Sequence, residues 1–419
     1  MESHKIIQVE EKVPLKLLLP LSIQHMFAMF GASVLVPFIF GINPAIVLFM
    51  NGVGTLIFIV VTKAKSPAYL GSSFAFLAPA GVVISKMGYP YALGGFVAVG
   101  FCGCILSFII YKCGTKWINI VLPPAAMGPV VALIGLELSS SAASNAGLLE
   151  DKIDPKNVIV FAVTLGVAVF GNILFKGFLS VIPILIAVVA GYLTALACGI
   201  LDFTQVVEAS WFAIPNFQAP KFDMGAILMI LPVLLVITSE HIGHQVVTSK
   251  IIGRDLLTDP GLHRSLFGDN FSTMVSGLIG SVPTTTYGEN IGVMAVTKVY
   301  SVHVIGGAAV LSIICSFVGK LSMMIQTIPG PVIGGISFLL YGMIGASAQR
   351  ILVDSRVDYG RSRNLMLTSI VFVTGLSGIS VNIGTVSLTG MVLACVVAMA
   401  LSLIFYILDK LKLTNDREV

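Results

Sequence analysis

The chain has 419 residues, of which 56% are hydrophobic and 11% charged, and its mean hydropathy is +0.99. A typical soluble domain is about 25% charged, so a soluble enzyme, a disordered chain and a disulfide scaffold are all excluded. The net charge of +4 is not gathered into a basic patch with interleaved aromatics. The expected partner is therefore the lipid bilayer and not nucleic acid.

Met1 to Lys16 is polar and carries Lys5, Lys12 and Lys16. The apolar run that follows has no small-residue cleavage site, so the first span is expected to serve as its own signal. At about 20 apolar residues per crossing, fourteen spans are expected. They cover 17–40, 44–62, 67–86, 91–111, 118–138, 157–175, 178–201, 224–248, 264–281, 284–298, 302–319, 327–348, 364–380 and 388–409. The third and tenth open on residues that favour turns or extended backbone, Ser66-Pro67 to Ser73 and Pro283 to Gly288. With the N-terminus inside, every Lys and Arg except Lys86, Lys152, Lys156, Lys221 and Lys320 falls on the cytoplasmic side. That asymmetry supports the count and cytoplasmic termini. The outer loops near 139–156 and 202–223 read as simple connectors. Cys102, Cys104, Cys113, Cys198, Cys315 and Cys395 lie in or beside apolar runs with no metal-ligand spacing, and read as small buried hydrophobes.

The sequence repeats itself weakly. At an offset of 216 residues, Gln24-His25 falls on Glu240-His241, Asn43-Pro44 on Asp259-Pro260, and Pro67 on Pro283. At 207, Pro124 falls on Pro331, Gly128 on Gly335 and Gly135 on Gly342. Each copy holds seven spans, an odd number, so the second must be inverted in the membrane. Inverted repeats with breaks at matching positions, here 67–73 and 283–289, are the mark of secondary transporters, and the breaks point to the binding site.

Ionisable groups inside spans cost roughly 2.5–3.5 kcal/mol each on insertion scales, so each one needs a reason. Glu240 and His244 are four apart and share a helix face. They read as substrate binding by Glu240 and proton handling by His244, or as a structural buried pair. A metal site from His241, His244 and Glu240 lacks a further ligand at suitable spacing. Glu289 follows the second break, beside Tyr287 and Gly288. It reads as a ligand group at a helix start, where free N–H groups gather, or as the cap of its own helix. Phe74 follows the first break and is the repeat partner of Asn290; from spacing alone, packing outweighs stacking on a flat ring, and Tyr341 is similar. His25 reads as a packing histidine linked to Gln24, and Asp269 as an interfacial carboxylate. The set favours a planar neutral ring amide over an anion, which Glu240 and Glu289 would repel. The rivals are a passive channel and a membrane-embedded enzyme, but no nucleophile accompanies the acid and base, so an enzyme is not expected.

Glu289-Asn290-Ile291-Gly292 with Thr297-Lys298 resembles the signature of the nucleobase–ascorbate transporter family, and Gln24-His25 resembles that family's first-span motif. The likeness is closest to bacterial uracil-carrying members, through Leu21 to Ala32, Ala68 to Phe76, Pro123 to Leu138, Glu240 to His244 and Asp259 to Arg264. The resemblance implies an all-α polytopic membrane protein of two inverted seven-segment repeats, with short strands breaking segments 3 and 10. It implies a core domain of segments 1–4 and 8–11 (1–112 and 223–320) and a gate domain of segments 5–7 and 12–14 (113–222 and 321–419). It also implies proton-driven uracil uptake by a homodimer joined through the gate domains, without a cofactor. By resemblance, Glu240 and Glu289 bind the uracil edge, Phe74 and Gly288 contribute backbone, Tyr287, Ala32 and Tyr341 line the pocket, and His244 couples Glu240 to the proton. Glu at 289 fits uracil members, whereas purine members carry Gln; a purine or xanthine permease, or an anion exchanger of the same fold, is the alternative. Asp269 departs from the Asn of those uracil members.

Overall fold

The computed structural model describes residues 6–383 and 386–414, without the side chains of Phe30, Ala32, Phe178, Val181, Ile383 and Val386. The protein is mostly helical. Helices α1 (Leu15–Ala28) and α2 (Phe30–Phe40) run on from one another at Met29. Helix α3 (Pro44–Val61) starts where Asn43 Oδ1 accepts the N–H of Ala45 at 2.8 Å, with Pro44 at the first helical position. Strand β1 (Leu70–Ser72) leads through a 3-10 turn at Phe74–Phe76 into α4 (Leu77–Met87), and α5 (Tyr89–Cys113) follows. Then come α6 (Lys116–Val121), α7 (Pro124–Glu137), α8 (Ser139–Asn145), α9 (Pro155–Leu174), α10 (Pro183–Ala197) and the short α11 (Thr204–Glu208). In the second half, α12 (Met224–Ile230) and α13 (Val233–Ile252) meet at Pro232, and α14 (Leu262–Ile279) precedes strand β2 (Thr284–Thr286) and α15 (Gly288–Thr297). The chain ends with α16 (Val302–Ser316), α17 (Gly319–Gln326), α18 (Gly330–Asp354), α19 (Ser362–Leu376), strands β3 (Ser380–Ile383) and β4 (Val386–Thr389), and α20 (Gly390–Lys410).

Among the described residues, eight helical stretches are long and apolar enough to cross a membrane on their own. They are Leu15–Phe40, Pro44–Val61, Tyr89–Cys113, Pro124–Asn145, Pro155–Leu174, Met224–Ile252, Gly330–Asp354 and Gly390–Lys410. The other expected spans fold as shorter or more polar helices. The 10-residue α15 rises only about 15 Å, half of a hydrocarbon core of about 30 Å, and strand β2 carries the chain toward its start. β1 and β2 pair antiparallel, with Leu70 opposite Thr286, Gly71 opposite Thr285 and Ser72 opposite Thr284. Both expected breaks are therefore extended, and they lie against each other.

The helices pack in two sets. In one, α14 runs along α5 and α3, and α16 along α3 and α1. In the other, α18 lies against α7, α8 and α9, α9 against α10, and α19 against α20 and α7. Lipid gives little hydrophobic reward for helix association, so close backbone approach at small residues must supply it. A Cβ at Gly103 of α5 would collide with the side chain of Asn270 in α14, and one at Gly100 would meet the backbone of Met274. Gly135 of α7 stands in the same way against the Tyr341 carbonyl of α18.

Three expectations change. The segment expected at 364–380 is helical only to Leu376; Gly378 then takes a φ of +73° and the chain forms the antiparallel β3–β4 hairpin. Its Val381, Val386 and Thr389 are β-branched, which suits a strand. The 202–223 loop is not a loose connector. Lys320 Nζ donates to the Val206 and Val207 carbonyls at 3.1 and 2.9 Å, and the N–H groups of Ala213, Gln218 and Lys221 donate to Phe317, Ile279 and Pro90. The cysteine reading holds for Cys395 alone, which is buried; Cys113 is exposed and the other four are half-buried.

Candidate functional site

The β1–β2 pairing brings two helix starts together, the turn at Phe74 that feeds α4 and the first turn of α15 at Gly288. The first N–H groups of a helix have no partner within it. Neither Ser73 nor Tyr287, the residues before these starts, caps them with its side chain. Two tie bonds hold the breaks in register. The Tyr287 hydroxyl donates to the Ser72 carbonyl at 2.6 Å, and the Ser73 N–H donates to the Pro283 carbonyl at 2.8 Å. The fit favours glycine at 71, because a Cβ there would displace the terminal methyl of Met29 and stand 3.1 Å from the Tyr287 ring.

Helix α13 supplies Glu240 and His244 to the same place. His244 Nδ1 lies 3.1 Å from the hydroxyl of Thr286 in β2, and its Nε2 would be 3.6 Å from a Cβ built at Gly288. The expected partner of His244 was Glu240, one helical turn away; the ring instead reaches sideways to the strand. Glu240, His244 and Glu289 are half-buried and Gly288 is exposed, although Thr284, Thr285, Thr286 and Asn290 around them are buried. The site is thus a polar opening in a closed wall. Glu289 stands in the first turn of α15. The charges that act on Glu240 are those of Asp269 and Glu289, both of its own sign.

Aromatic rings line the next layer. Phe74 is buried, with the Tyr287 ring tilted at 59° and the Tyr341 ring edge-on at 90°, each with its centroid 6.1 Å away. The Tyr341 hydroxyl is buried and has no hydrogen-bond partner among the described residues. The Ala32 side chain, expected in the same lining, lies outside the described residues.

Two residues fall elsewhere than expected. His25 is buried, its carbonyl accepts from Asn290 Nδ2 of α15 at 3.3 Å, and its ring Nδ1 has no hydrogen-bond partner among the described residues. Asp269 is not interfacial: it is 3% exposed, and its Oδ2 lies 3.0 Å from Nδ1 of the fully buried His241. The signal in the sequence was the cost of an ionisable residue inside a span, which demands a partner; Asp269 and His241 were both visible, but their pairing across two helices was not.

Together these residues offer carboxylate acceptors, backbone N–H donors and ring faces within one opening. That set suits a flat, neutral ligand carrying both N–H and C=O groups.

The fold as a whole is that of known membrane transporters. It superposes with a TM-score of 0.74 and 9% identity on the murine Solute Carrier 26 family member A9 anion transporter in its inward-facing state, covering 96% of this chain and 69% of that one. With the transmembrane domain of the cyanobacterium bicarbonate transporter BicA the TM-score is 0.65 at 15% identity, covering 96% and 99% of the two chains. Likeness at such identity is one of fold alone. The sequence profile of a permease family matches residues 16–383. The chain is 54% identical over 413 residues to the uracil permease of Escherichia coli K12, covering 98% of this chain and 96% of that protein. It is 52% identical over 418 residues to the uracil permease of Paenibacillus larvae (98% and 99%) and 44% identical over 396 residues to that of Bacillus subtilis (91% of each). The chain belongs to this permease family. It is a multi-pass membrane transporter and not an enzyme.

Proposed function

We propose that the protein is a proton-coupled symporter that imports uracil across the cell membrane. The observation that carries this reading is the meeting of Glu240 and Glu289 with two uncapped helix starts joined by β1–β2. The edge of uracil alternates N–H donors with carbonyl acceptors, and the site offers the complement: carboxylate oxygens for the donors and backbone N–H groups at Phe74 and Gly288 for the acceptors. Phe74 and Tyr341 would flank the ring, with Tyr287 and Ala32 completing the lining. The uracil permeases among the relatives give the same substrate.

In this reading the chain crosses the membrane fourteen times as two inverted repeats of seven, with both termini cytoplasmic. The core domain is 1–112 with 223–320, and the gate domain is 113–222 with 321–419. The two helix sets support that division, since α14, α5, α3 and α16 fall in the first and α18, α7, α9 and α19 in the second. Two copies associate through their gate domains. The core moves against the gate, so that the site opens to each side in turn. Protonation near His244 and Glu240 favours binding outside, and release inside follows the proton gradient. A ligand drives such a cycle only through different affinities for the two states.

Competition for labelled uracil uptake into liposomes holding the purified protein tests the substrate. Unlabelled uracil is expected to compete, and xanthine and bicarbonate are not. Uptake of xanthine in its place would make the protein a purine permease, and transport of bicarbonate without uracil would overturn the reading of both carboxylates.

A further inference from the structure

The strongest feature left unused by that mechanism is the buried pair of His241 in α13 and Asp269 in α14. His241 is fully buried and Asp269 nearly so. One imidazole nitrogen, Nδ1, faces Asp269 Oδ2 at 3.0 Å, and the other, Nε2, lies 3.0 Å from the Ser265 hydroxyl. Ser265 Oγ can in turn donate to the Leu262 carbonyl at 3.1 Å.

This geometry accepts either charge state of the ring. When His241 is protonated on both nitrogens, Nδ1–H faces the Asp269 carboxylate, Nε2–H faces Ser265 Oγ, and the serine proton goes to Leu262. When Nε2 loses its proton, the serine hydroxyl turns to donate to it. Only a hydroxyl rotates between the two states, and Ser265 Oγ has a partner in both, while Asp269 Oδ1 is buried without a hydrogen-bond partner among the described residues. A purely structural histidine needs only one of these states.

The neighbours supply a reason for the proton. Asp269 and Glu289 act on Glu240 as like charges, and the imidazoles beside this group are His241, against Asp269, and His244, one turn along α13 from Glu240. Helix α3 brings the Phe58 ring against His241, with centroids 6.2 Å apart, and has no charged residue. Helix α5 brings glycines against Asn270, and its one charged residue, Lys112, is at its far end. Strand β2 brings Thr285 toward Asp269 and Thr286 to His244. Like charges in a poorly screened interior repel strongly.

We propose that His241 and Asp269 form a second proton-carrying pair, distinct from the side chains that touch the substrate, and that its proton allows Glu240 to stand as the anion that receives the ligand's N–H groups. The proton passes from the outer solution to the neutral imidazole, taking the pair from a net charge of minus one to zero, and leaves to the inner solution in the reverse step. No bond other than N–H forms or breaks. Because coupling between two binding events is reciprocal, a proton on the pair tightens uracil binding and uracil tightens the proton. The inference rests on the proton-coupled reading above, and it makes Asp269 and His241 positioning residues for charge and not ligand contacts.

The test measures uracil affinity against pH, together with uracil exchange at equal pH on both sides of the membrane, for the full chain in liposomes. Wild type is expected to bind about tenfold more tightly near pH 6 than near pH 8, within the usual range of coupling between sites. Asp269→Asn, which keeps the shape and a polar partner for His241, is expected to retain exchange while its affinity depends on pH less steeply than wild type, the part due to His244 and Glu240 remaining; Asp269→Glu restores the full dependence. An Asp269→Asn profile that follows the wild-type one overturns the proposal. Should that variant not bind at all, His241→Gln is measured in the same way, and a wild-type profile from it overturns the proposal equally. A wild-type protein with no pH dependence would instead strike the proton-coupled function itself, so the two failures are told apart.

Discussion

The hydroxyl of Tyr287 donates to the carbonyl of Ser72 across 215 positions of sequence, at 2.6 Å, and so ties the second break to the first. The bond is buried, and both residues precede a helix start that faces the site. Leaving a buried carbonyl unpaired costs about 1–3 kcal/mol. Tyr287→Phe is therefore expected to weaken uracil binding by about fivefold or more and to lower the thermal midpoint modestly, with the ring packing on Phe74 kept. Calorimetric titration and a melting curve on the same sample check this; unchanged affinity would mean that the strands hold the breaks without the tie.

Glu240 and Glu289 are expected to fail separately. Hydrogen bonds to charged groups contribute about 1.5–3 kcal/mol each, so Glu240→Gln and Glu289→Gln should each weaken uracil binding by at least about tenfold, and Glu240→Ala should abolish it. Micromolar binding by Glu240→Ala would remove that residue from the pocket.

His244 is held by Thr286 and stands beside Gly288. His244→Ala is expected to keep uracil binding within about threefold while losing most gradient-driven accumulation, since a coupling residue acts on the cycle more than on one bound state. Binding and accumulation measured on one preparation decide the matter. Unchanged accumulation would remove His244 from the coupling role.

The α5–α14 crossing depends on glycine. Gly103→Ala would drive a methyl group into Asn270, and overpacking of this kind costs about 1–3 kcal/mol. A lower melting point and lower yield of folded protein in detergent are expected. Gly166→Ala in α9 meets nothing within 4 Å and serves as the neutral control.

At the N-terminal side, outside the membrane-spanning segments, Arg254 grips Glu10, with Nη2 to Oε2 at 2.8 Å. The guanidinium holds the Glu10 carboxyl below its usual range. A carboxyl depressed by folding adds stability above its unfolded value of about 4.5, and that contribution is lost as pH falls through the lower folded value. Both side chains are more than a third exposed, so the pair is worth under about 1 kcal/mol. Arg254→Gln should raise protease sensitivity around residues 6–13 near neutral pH. Acidifying below the carboxylate range should bring wild type to the same level, and high salt should narrow the difference. Equal sensitivity of the two proteins at neutral pH and low salt would contradict this.

Local chemistry made part of this structure legible. The clusters Ser66 to Ser73 and Pro283 to Gly288 announce extended backbone by residue type alone, and both became strands or lead into them. Glu240 and Glu289 stood out because a charge in an apolar run is costly wherever it sits. What sequence did not reveal depends on contacts between distant segments. Asp269 looked interfacial because it stands early in its expected span, and its partner His241 lies on another helix. The ring of His244 could bond along its own helix or across to a strand, and the four-residue spacing to Glu240 gave no sign of Thr286. The 202–223 loop has the composition of a connector, and only Lys320 and the carbonyls of distant helix ends tie it down.

The account turns on coupling, and the direct measurement is accumulation of labelled uracil in liposomes with and without an inward proton gradient. Uracil is expected to concentrate inside above its outside level when the interior is alkaline, and a protonophore is expected to collapse that gradient. Uracil that equilibrates at the same rate and to the same level with or without the gradient would contradict the account and leave a passive facilitator.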